Sequence, residues 1–383
     1  MATLLSRQAI VAGKIEVTEG TAETLAGTDA LLVYDVAFTP DVATFERTPA
    51  RSTLSKLPSV RGVKLGTLTF RTELKGSGSV GTAPEWDEFL QGCGFAKAAV
   101  SSIAIGAVTG GPFQAGETIT GGTSSGTGRV VGDVATGASV VTYVPVSGTL
   151  QSGEVLTGGT SGATATTSGS PTASQGFEFK PASSSVPSLT LALFLDGIRH
   201  LLVGARGNVT FSAVVGEPGF MEFTFTGVYS STTDVAMPTA TYDTTVPPVF
   251  LGVGLNFHGF TPVFTTLDFD LGNVVEPRRN ANDSLGAKSA IITGRSPTAT
   301  VDPELDLVAN FDFFGKLRDG SQGRFACSMG STAGNKVTVS SPKCQIDGLA
   351  GGDRNGIATG TLTLNLATST VNTGDDELQI GVL

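Results

Sequence analysis

Between Ser188 and Tyr229 the chain reads SLTLALFLDGIRHLLVGARGNVTFSAVVGEPGFMEFTFTGVY. Apolar and polar residues alternate there, and turn signals break the runs at Asp196-Gly197 and Glu217-Pro218-Gly219. A period of two sends successive side chains to opposite faces, so these runs are strands, and the stretch reads as four of them. VKLGTLTFRTELKG, from Val63 to Gly76, repeats the pattern. Leu68, Phe70 and Leu74 share its apolar face. Thr67, Thr69, Arg71 and Glu73 share a polar face that can meet water or a lumen. The 51 glycines and 18 prolines supply turns at the density that sandwich and barrel layers need. The expected fold class is therefore mainly β.

One compact helix signal interrupts this pattern, GTAPEWDEFLQGCGF from Gly81 to Phe95. Thr82 and Glu85 have capping-box spacing, Pro84 sits in the first turn, and Asp87 and Glu88 suit the positive helix end. Trp86, Phe89 and Leu90 form one buried stripe, and Gly92 and Gly94 stop the helix. A similar signal returns in TVDPELDLVANFDFF, Thr300 to Phe314, with Asp302 as cap and Pro303 as first helical residue.

Around these two signals the order of elements repeats. EPRR (Glu276–Arg279) parallels RTPAR (Arg47–Arg51), and LGAKSAIITGR parallels the strand at Val63. The stretch Val337 to Leu366 parallels that from Asn208 to Gly227. The expectation is one β-rich domain present twice, each copy with one short helix. From about Ile105 to Thr172 the composition changes: only Glu117, Arg129, Asp133 and Glu154 are charged. FQAGETITGGTSSGTG and LQSGEVLTGGTSGATA mark an internal repeat there, each copy reading as a strand, a Gly-Gly turn and a strand. The expected organisation is an N-terminal arm over 1–30, a first domain over 31–104 and 173–235, and an inserted β-module over 105–172. A second domain follows over 245–383, after a Pro- and Thr-rich connection.

The 34 Asp and Glu exceed the 24 Lys and Arg, a net charge of −10. That balance argues against tight nucleic-acid binding, which needs clustered cations. Cys93, Cys327 and Cys344 form no CxxC and fit a reducing compartment. The opening MATLLSRQAIVAGKIE lacks a signal peptide's apolar core. Val246 to Phe264 carries too many Pro and Gly for a membrane span and reads as a strand around Leu251, Val253, Leu255 and Phe257. No membrane insertion is expected.

No catalytic, cofactor-binding or metal-ligating set emerges, and an enzyme is not expected. GTSSG at Gly122–Gly126 matches G-x-S-x-G but sits in a Gly/Thr repeat without the strand, helix and His that a nucleophile elbow requires. His200 and His258 stand far apart in strand-like runs, without clustered carboxylates or thiols. GDRNG at Gly352–Gly356 lacks calcium-loop spacing and reads as a hairpin turn. Arg47, Arg51, Arg61 and Lys64 suit either intersubunit ion pairs or a solvated loop.

The first half resembles the major tail tube proteins of long, non-contractile-tailed, siphovirus-type bacteriophages. The residues that carry this are RQAIVAGKIEVTEGT, FERTPARSTL, RGVKLGTLTFRTELKGSG, TAPEWDEFLQGCGF and LFLDGIRHLLVGARGNVTFSAVVGEPGFMEFTFTGVY, covering most of 7–99 and 177–229. The second half resembles the family through the repeat. The resemblance implies a β-sandwich or partial barrel with one flanking helix, rings that stack into a hollow tube, and strands joined around a lumen that conducts DNA. Two domains per chain imply trimeric, pseudo-hexameric rings. The implied partners are further copies of itself, a tape-measure protein, a tail terminator and tail-tip proteins, with non-specific passage of DNA. The implied location is the virion tail, after assembly in the host cytoplasm. The arm Met1–Thr28 and the loop Phe45–Arg61 are the expected ring-to-ring contacts, and the insert is expected on the outer surface. The rival readings are a tail-tip or surface module that binds carbohydrate or receptor, and a capsid decoration protein.

Overall fold

The computed structural model describes residues 4, 5 and 7–383. Strands account for 51% of the chain and helix for 4%, so the fold is mainly β as the alternation requires. The first half contains β1 (Ala9–Ile15), β2 (Ala30–Leu31), β3 (Tyr34–Phe45), β4 (Val60–Glu73), helix α1 (Asp87–Gly92) and β5 (Phe95–Ala104). The insert follows with β6 (Thr118–Gly121), β7 (Thr127–Val130), β8 (Val140–Ser147), β9 (Val155–Gly158) and β10 (Thr164–Thr166). β11 (Thr172–Pro181), β12 (Leu189–Leu195), β13 (Ile198–Val214) and β14 (Phe220–Asp234) complete that half. The second half contains β15 (Asn256–Phe257), β16 (Thr266–Asp270), β17 (Val274–Arg279), β18 (Ala287–Gly294), β19 (Thr298–Val301) and α2 (Phe313–Asp319). It ends with β20 (Gln322–Met329), β21 (Val337–Arg354), β22 (Ile357–Ala367) and β23 (Gln379–Val382).

One hydrophobic cluster runs through both halves, from Val11 and Phe70 to Phe325 and Val382. The halves are also joined by backbone pairing, β13 with β16 and β11 with β23. The connection between them is strapped down. Thr241 N–H donates to the Gly27 carbonyl at 3.0 Å, and Lys75 Nζ donates to the carbonyls of Asp243 and Thr245 at 2.9 and 3.0 Å. Trp86, Phe89 and Leu90 of the α1 segment are buried in the shared core, and Trp86 Nε1 donates to the Lys75 carbonyl at 2.8 Å.

Several local expectations are corrected. Part of the arm expected over 1–30 is a strand of the body: Ala9–Ile15 pairs with β12 along its whole length, and Val11 and Ala12 are fully buried there. Met1–Thr3 and Ser6 lie outside the described residues. The run from Ser188 to Tyr229 makes three strands, since His200 through Val214 continue as one, with a bulge between Val203 and Arg206. The Thr82–Glu85 capping box does not form. α1 starts at Asp87 with no side-chain cap, and Glu85 instead accepts the backbone N–H of Asp243. In the second half the helix starts later than expected. Asp302 is drawn off by Thr265 and Thr266, whose N–H groups donate to it at 2.8 and 2.6 Å. Asp312 caps α2 instead, accepting from Gly315 N–H at 2.7 Å, and Gly320 closes it in the left-handed region (φ 63°). The strand expected around Leu251–Phe257 shrinks to Asn256–Phe257, because Gly252 and Gly254 adopt φ of 61° and 57°.

The insert has its own apolar cluster, which includes Phe113, Ile119, Tyr143 and Leu156. Its two repeats are interlocked. β6 of the first pairs with β9 of the second. Glu117, from the first repeat, accepts the N–H groups of Thr160 and Ser161 at 3.0 and 2.9 Å and the Ser161 hydroxyl at 2.8 Å. Glu154, from the second, accepts those of Thr123 and Ser124 at 3.1 and 2.9 Å and the Ser124 hydroxyl. Each carboxylate therefore stitches the Gly-Gly turn of the opposite copy. The module's other two charges fasten it to the body: Arg129 pairs with the buried Glu178 of β11, and Asp133 with Arg324 of β20.

Candidate assembly surface

Eight strands form an unbroken antiparallel ladder in the order β3, β4, β14, β13, β16, β19, β22, β21. Strict alternation gives it two unlike faces. Phe70, Phe223, Phe211, Phe269, Val301 and Leu362 lie on the buried side. Helix α1 and strands β5, β11, β20 and β23 supply the rest of that core, through Phe89, Phe95, Phe179, Phe325 and Ile380.

The other face is polar and open. Thr69 on β4, Glu222 and Thr224 on β14, and Thr210 and Ser212 on β13 reach solvent. Asp268 and Asp270 on β16, Thr300 on β19, and Thr361 and Thr363 on β22 continue the same surface. Hydroxyls dominate it; its charges include the acids Glu222, Asp268 and Asp270 and the cation Arg71, which stands opposite Glu222 and pairs with Asp35 at 3.3 Å. Burial, and then the neighbouring Asp302, push the Asp268 carboxyl above its ordinary value. Burial would also raise Asp302, but donors from Thr265 and Thr266 outweigh it and hold that carboxyl low. Such a face offers phosphates few cations to bind.

The ladder ends on two free edges. Among the described residues, no strand pairs with the outer side of β3 or with the outer side of β21 beyond Gln345. Globular proteins usually guard edges of this length, and β3 has 12 residues. Beyond β3 the loop from Phe45 to Arg61 projects, with Leu54 fully exposed and Phe45 60% exposed. Its cations stay local: Arg51 donates to the Ser55 carbonyl, Lys56 pairs with Glu46, and Arg61 reaches the Thr44 hydroxyl. Lys64 N–H donates to the Leu285 carbonyl at 3.0 Å.

The other singled-out residues have structural surroundings. His200 lies on β13, its ring stacked 4.7 Å from Phe38. His258 is not in a strand: it occupies a turn with φ 52°, and its Nε2 lies 2.9 Å from the Cys344 carbonyl oxygen. Ser124, the centre of GTSSG, is spent on Glu154. Burial pushes the thiols of Cys327 and Cys344 up to about 12. Among the described residues no cluster of His, Cys, Asp and Glu is arranged to hold a metal. Sequence reading missed the contribution of β16 and β22 to the polar face. The alternation in TLDFD and TLTLN was its signal. No protein-family model and no curated protein matches the chain.

Proposed function

We propose that this chain is the structural subunit of a hollow phage tail tube. Copies join side by side into rings, rings stack, and the hydroxyl-rich acidic face lines the channel that conducts DNA. The observation that carries this reading is the two-faced ladder that crosses both halves and ends on two open edges. A globular protein working alone has no use for that combination. The face suits sliding DNA, since acids repel phosphate and hydroxyls hold it only weakly.

The ladder also favours three copies per ring. Three copies bring about 24 strands. At ~4.8 Å between strands and ~40° of tilt, the closed barrel is about 48 Å across, or about 38 Å clear of side chains. That admits a duplex. Six copies double the width, to about 95 Å, far more than one duplex needs. The insert is fastened to β11 and β20 and pairs with β5, all on the far side of the core from the polar face. In a ring it stands on the outside. A tape-measure protein, a terminator and tip proteins complete the expected set of partners.

Negative-stain imaging of the purified protein, mixed with tip complex and tape-measure protein, tests the reading. Hollow tubes with three copies per turn are expected, and persistent monomers under those conditions overturn it. A second measurement addresses the face. Glu222→Lys, Asp268→Lys and Asp270→Lys together are expected to leave tube assembly intact and to slow DNA ejection at least several-fold, more so at low salt. An unchanged ejection rate in tubes that carry all three substitutions counts against these residues lining the channel.

A further inference from the structure

The ladder consists of two quartets with matching registers, β3–β4–β14–β13 and β16–β19–β22–β21. In the first quartet Phe38, Leu68 and Phe225 occupy one row, and Ala37, Thr69 and Thr224 the next. In the second, Phe269, Ala299 and Leu364 occupy one row, and Asp268, Thr300 and Thr363 the next. Buried rows match buried rows, and open rows match open rows. Within the chain the quartets meet where β13 pairs with β16: Thr210 opposite Asp270, Phe211 opposite Phe269, Ser212 opposite Asp268.

We propose that this internal seam is the template for the seam between copies: the free edge of β21 in one copy pairs with the free edge of β3 in the next. The inference rests on the ring reading above and names the surfaces that close the ring. Carrying the internal register across fixes the partners. Ala350 stands opposite Thr39, Gly351 opposite Phe38, and Gly352 opposite Ala37.

Four features fit this pairing. The ladder has an even number of alternating strands, so β21 meets the next β3 in the antiparallel sense, without a parity break. The β21 edge is built of Ala350, Gly351 and Gly352, and the space beside Gly351 is open, so the bulkier Phe38 row can approach. The same register brings the Asp35 end of β3, paired within the chain with Arg71 at 3.3 Å, beside Arg354, which holds Asp302 at 3.3 Å, so opposite charges face each other across the seam. Finally, β17 and β18 continue the second quartet as a hairpin that lies over the first half, with Gly286 against Val63 and Lys64 N–H on the Leu285 carbonyl. The corresponding part of the first quartet is the tip of the β3–β4 hairpin. Among the described residues it has no such cover, and Phe45 and Val60 are 60% and 52% exposed. In a ring that tip lies over the second half of the neighbouring copy.

Cysteine cross-linking of the full chain tests the register. Thr39→Cys/Ala350→Cys and Ala37→Cys/Gly352→Cys lie two rows apart and share one spacing. The internal seam is hydrogen-bonded at Val209–Leu271 and Val215–Thr265, so by the same register both designed rows, like Ser212–Asp268, are the closely spaced kind that oxidises readily. Ser212→Cys/Asp268→Cys, on the internal seam, is the positive control and is expected to close within one chain. Thr39→Cys/Thr361→Cys, displaced by one strand, is the negative control. Assembled particles oxidised under mild conditions are expected to give a covalent series that ends at the ring number in at least one of the two designed pairs. It should be absent from the displaced pair. Particles that image as tubes but yield no cross-link in either designed pair, while the internal control closes, overturn this seam and leave the tube reading standing. Variants that melt like the parent yet never assemble, alongside a parent that also never assembles, overturn both.

Discussion

Glu154→Ala is expected to destabilise the inserted module by about 3–5 kcal/mol while the rest of the protein stays folded. The carboxylate is buried, 3% exposed, and its acceptor capacity is filled by neighbours. Gln151 N–H donates to it at 2.6 Å from its own repeat, and Thr123 N–H, Ser124 N–H and the Ser124 hydroxyl donate from the other. Truncation leaves these donors facing a void where no protein acceptor replaces the carboxylate. It also removes the clamp that holds the Gly-Gly turn of the first repeat against β9. Glu117→Ala should act similarly, because Glu117 holds Gln114, Thr160 and Ser161 in the mirror arrangement. The double variant should cost clearly less than the sum, since either change alone breaks the same interlock. Hydrogen exchange provides the reading: amides between Phe113 and Thr167 should lose protection while those of β4 and β14 keep it. A Glu154→Ala protein within about 1 kcal/mol of the parent would sink the claim.

The same site gives a pH dependence. Burial tends to raise the Glu154 carboxyl, but the donors from Gln151, Ser124 and Thr123 outweigh it and hold it below the ordinary value. A depressed carboxyl contributes stability that is fully present above the unfolded value, about 4.3, and is lost as pH falls through the folded one. Module melting should therefore drop as the medium is acidified below about pH 4, and Glu154→Gln should flatten that slope.

The alternation of Val63–Gly76 and Ser188–Tyr229 made the strands legible because period two leaves its mark in every residue. The hairpin turns at Asp196-Gly197 and Asn355-Gly356 were legible for the same kind of local reason: φ values of 42°, 98°, 55° and 85° favour these residue types. What sequence could not show depends on competition between distant partners. Asp302 looked like a helix cap, but Thr265 and Thr266 approach it from another strand, and Asp312 caps the helix instead. The N-terminal segment read as an arm for contacts between rings, yet β12 pairs with it along seven residues. The two glutamates of the insert stood at equivalent places in the repeat, but only the crossing of the repeats shows that each serves the other copy. The polar face was readable on β4 alone. Its continuation through β16 and β22 required the register that joins the halves.

Truncation after Leu378 is expected to have the largest effect of any change to this chain. The segment it removes is short but sits between three parts of the fold. Residues 379–382 pair with Val337–Ser340 of β21, and Ile380–Val382 pair on the other side with Phe177–Phe179 of β11. Leu383 packs with Val100, Val131 and Val144, joining the module to both halves, and exchanges backbone bonds with Lys336 at 2.9 and 3.1 Å. Ile380 and Val382 are 1% and 2% exposed. Losing three buried aliphatic side chains removes about 5–8 kcal/mol of burial, comparable with the whole stability of many domains. It also opens two strand edges where one strand had closed both, so the truncated chain should collect in aggregates. Ile380→Asp tests the same site without shortening the chain, and is expected to cost more than about 4 kcal/mol by burying an unpaired charge. Val371→Ser, at a residue that is 97% exposed in the preceding loop, should stay within about 0.5 kcal/mol. Urea unfolding of Ile380→Asp followed by hydrogen exchange then decides how the halves are coupled. Loss of protection in β11, β21 and the module together means that β23 joins them into one cooperative unit. Loss confined to β21 and β20 means that the first half folds without it, and that the shared core is weaker than its continuity implies.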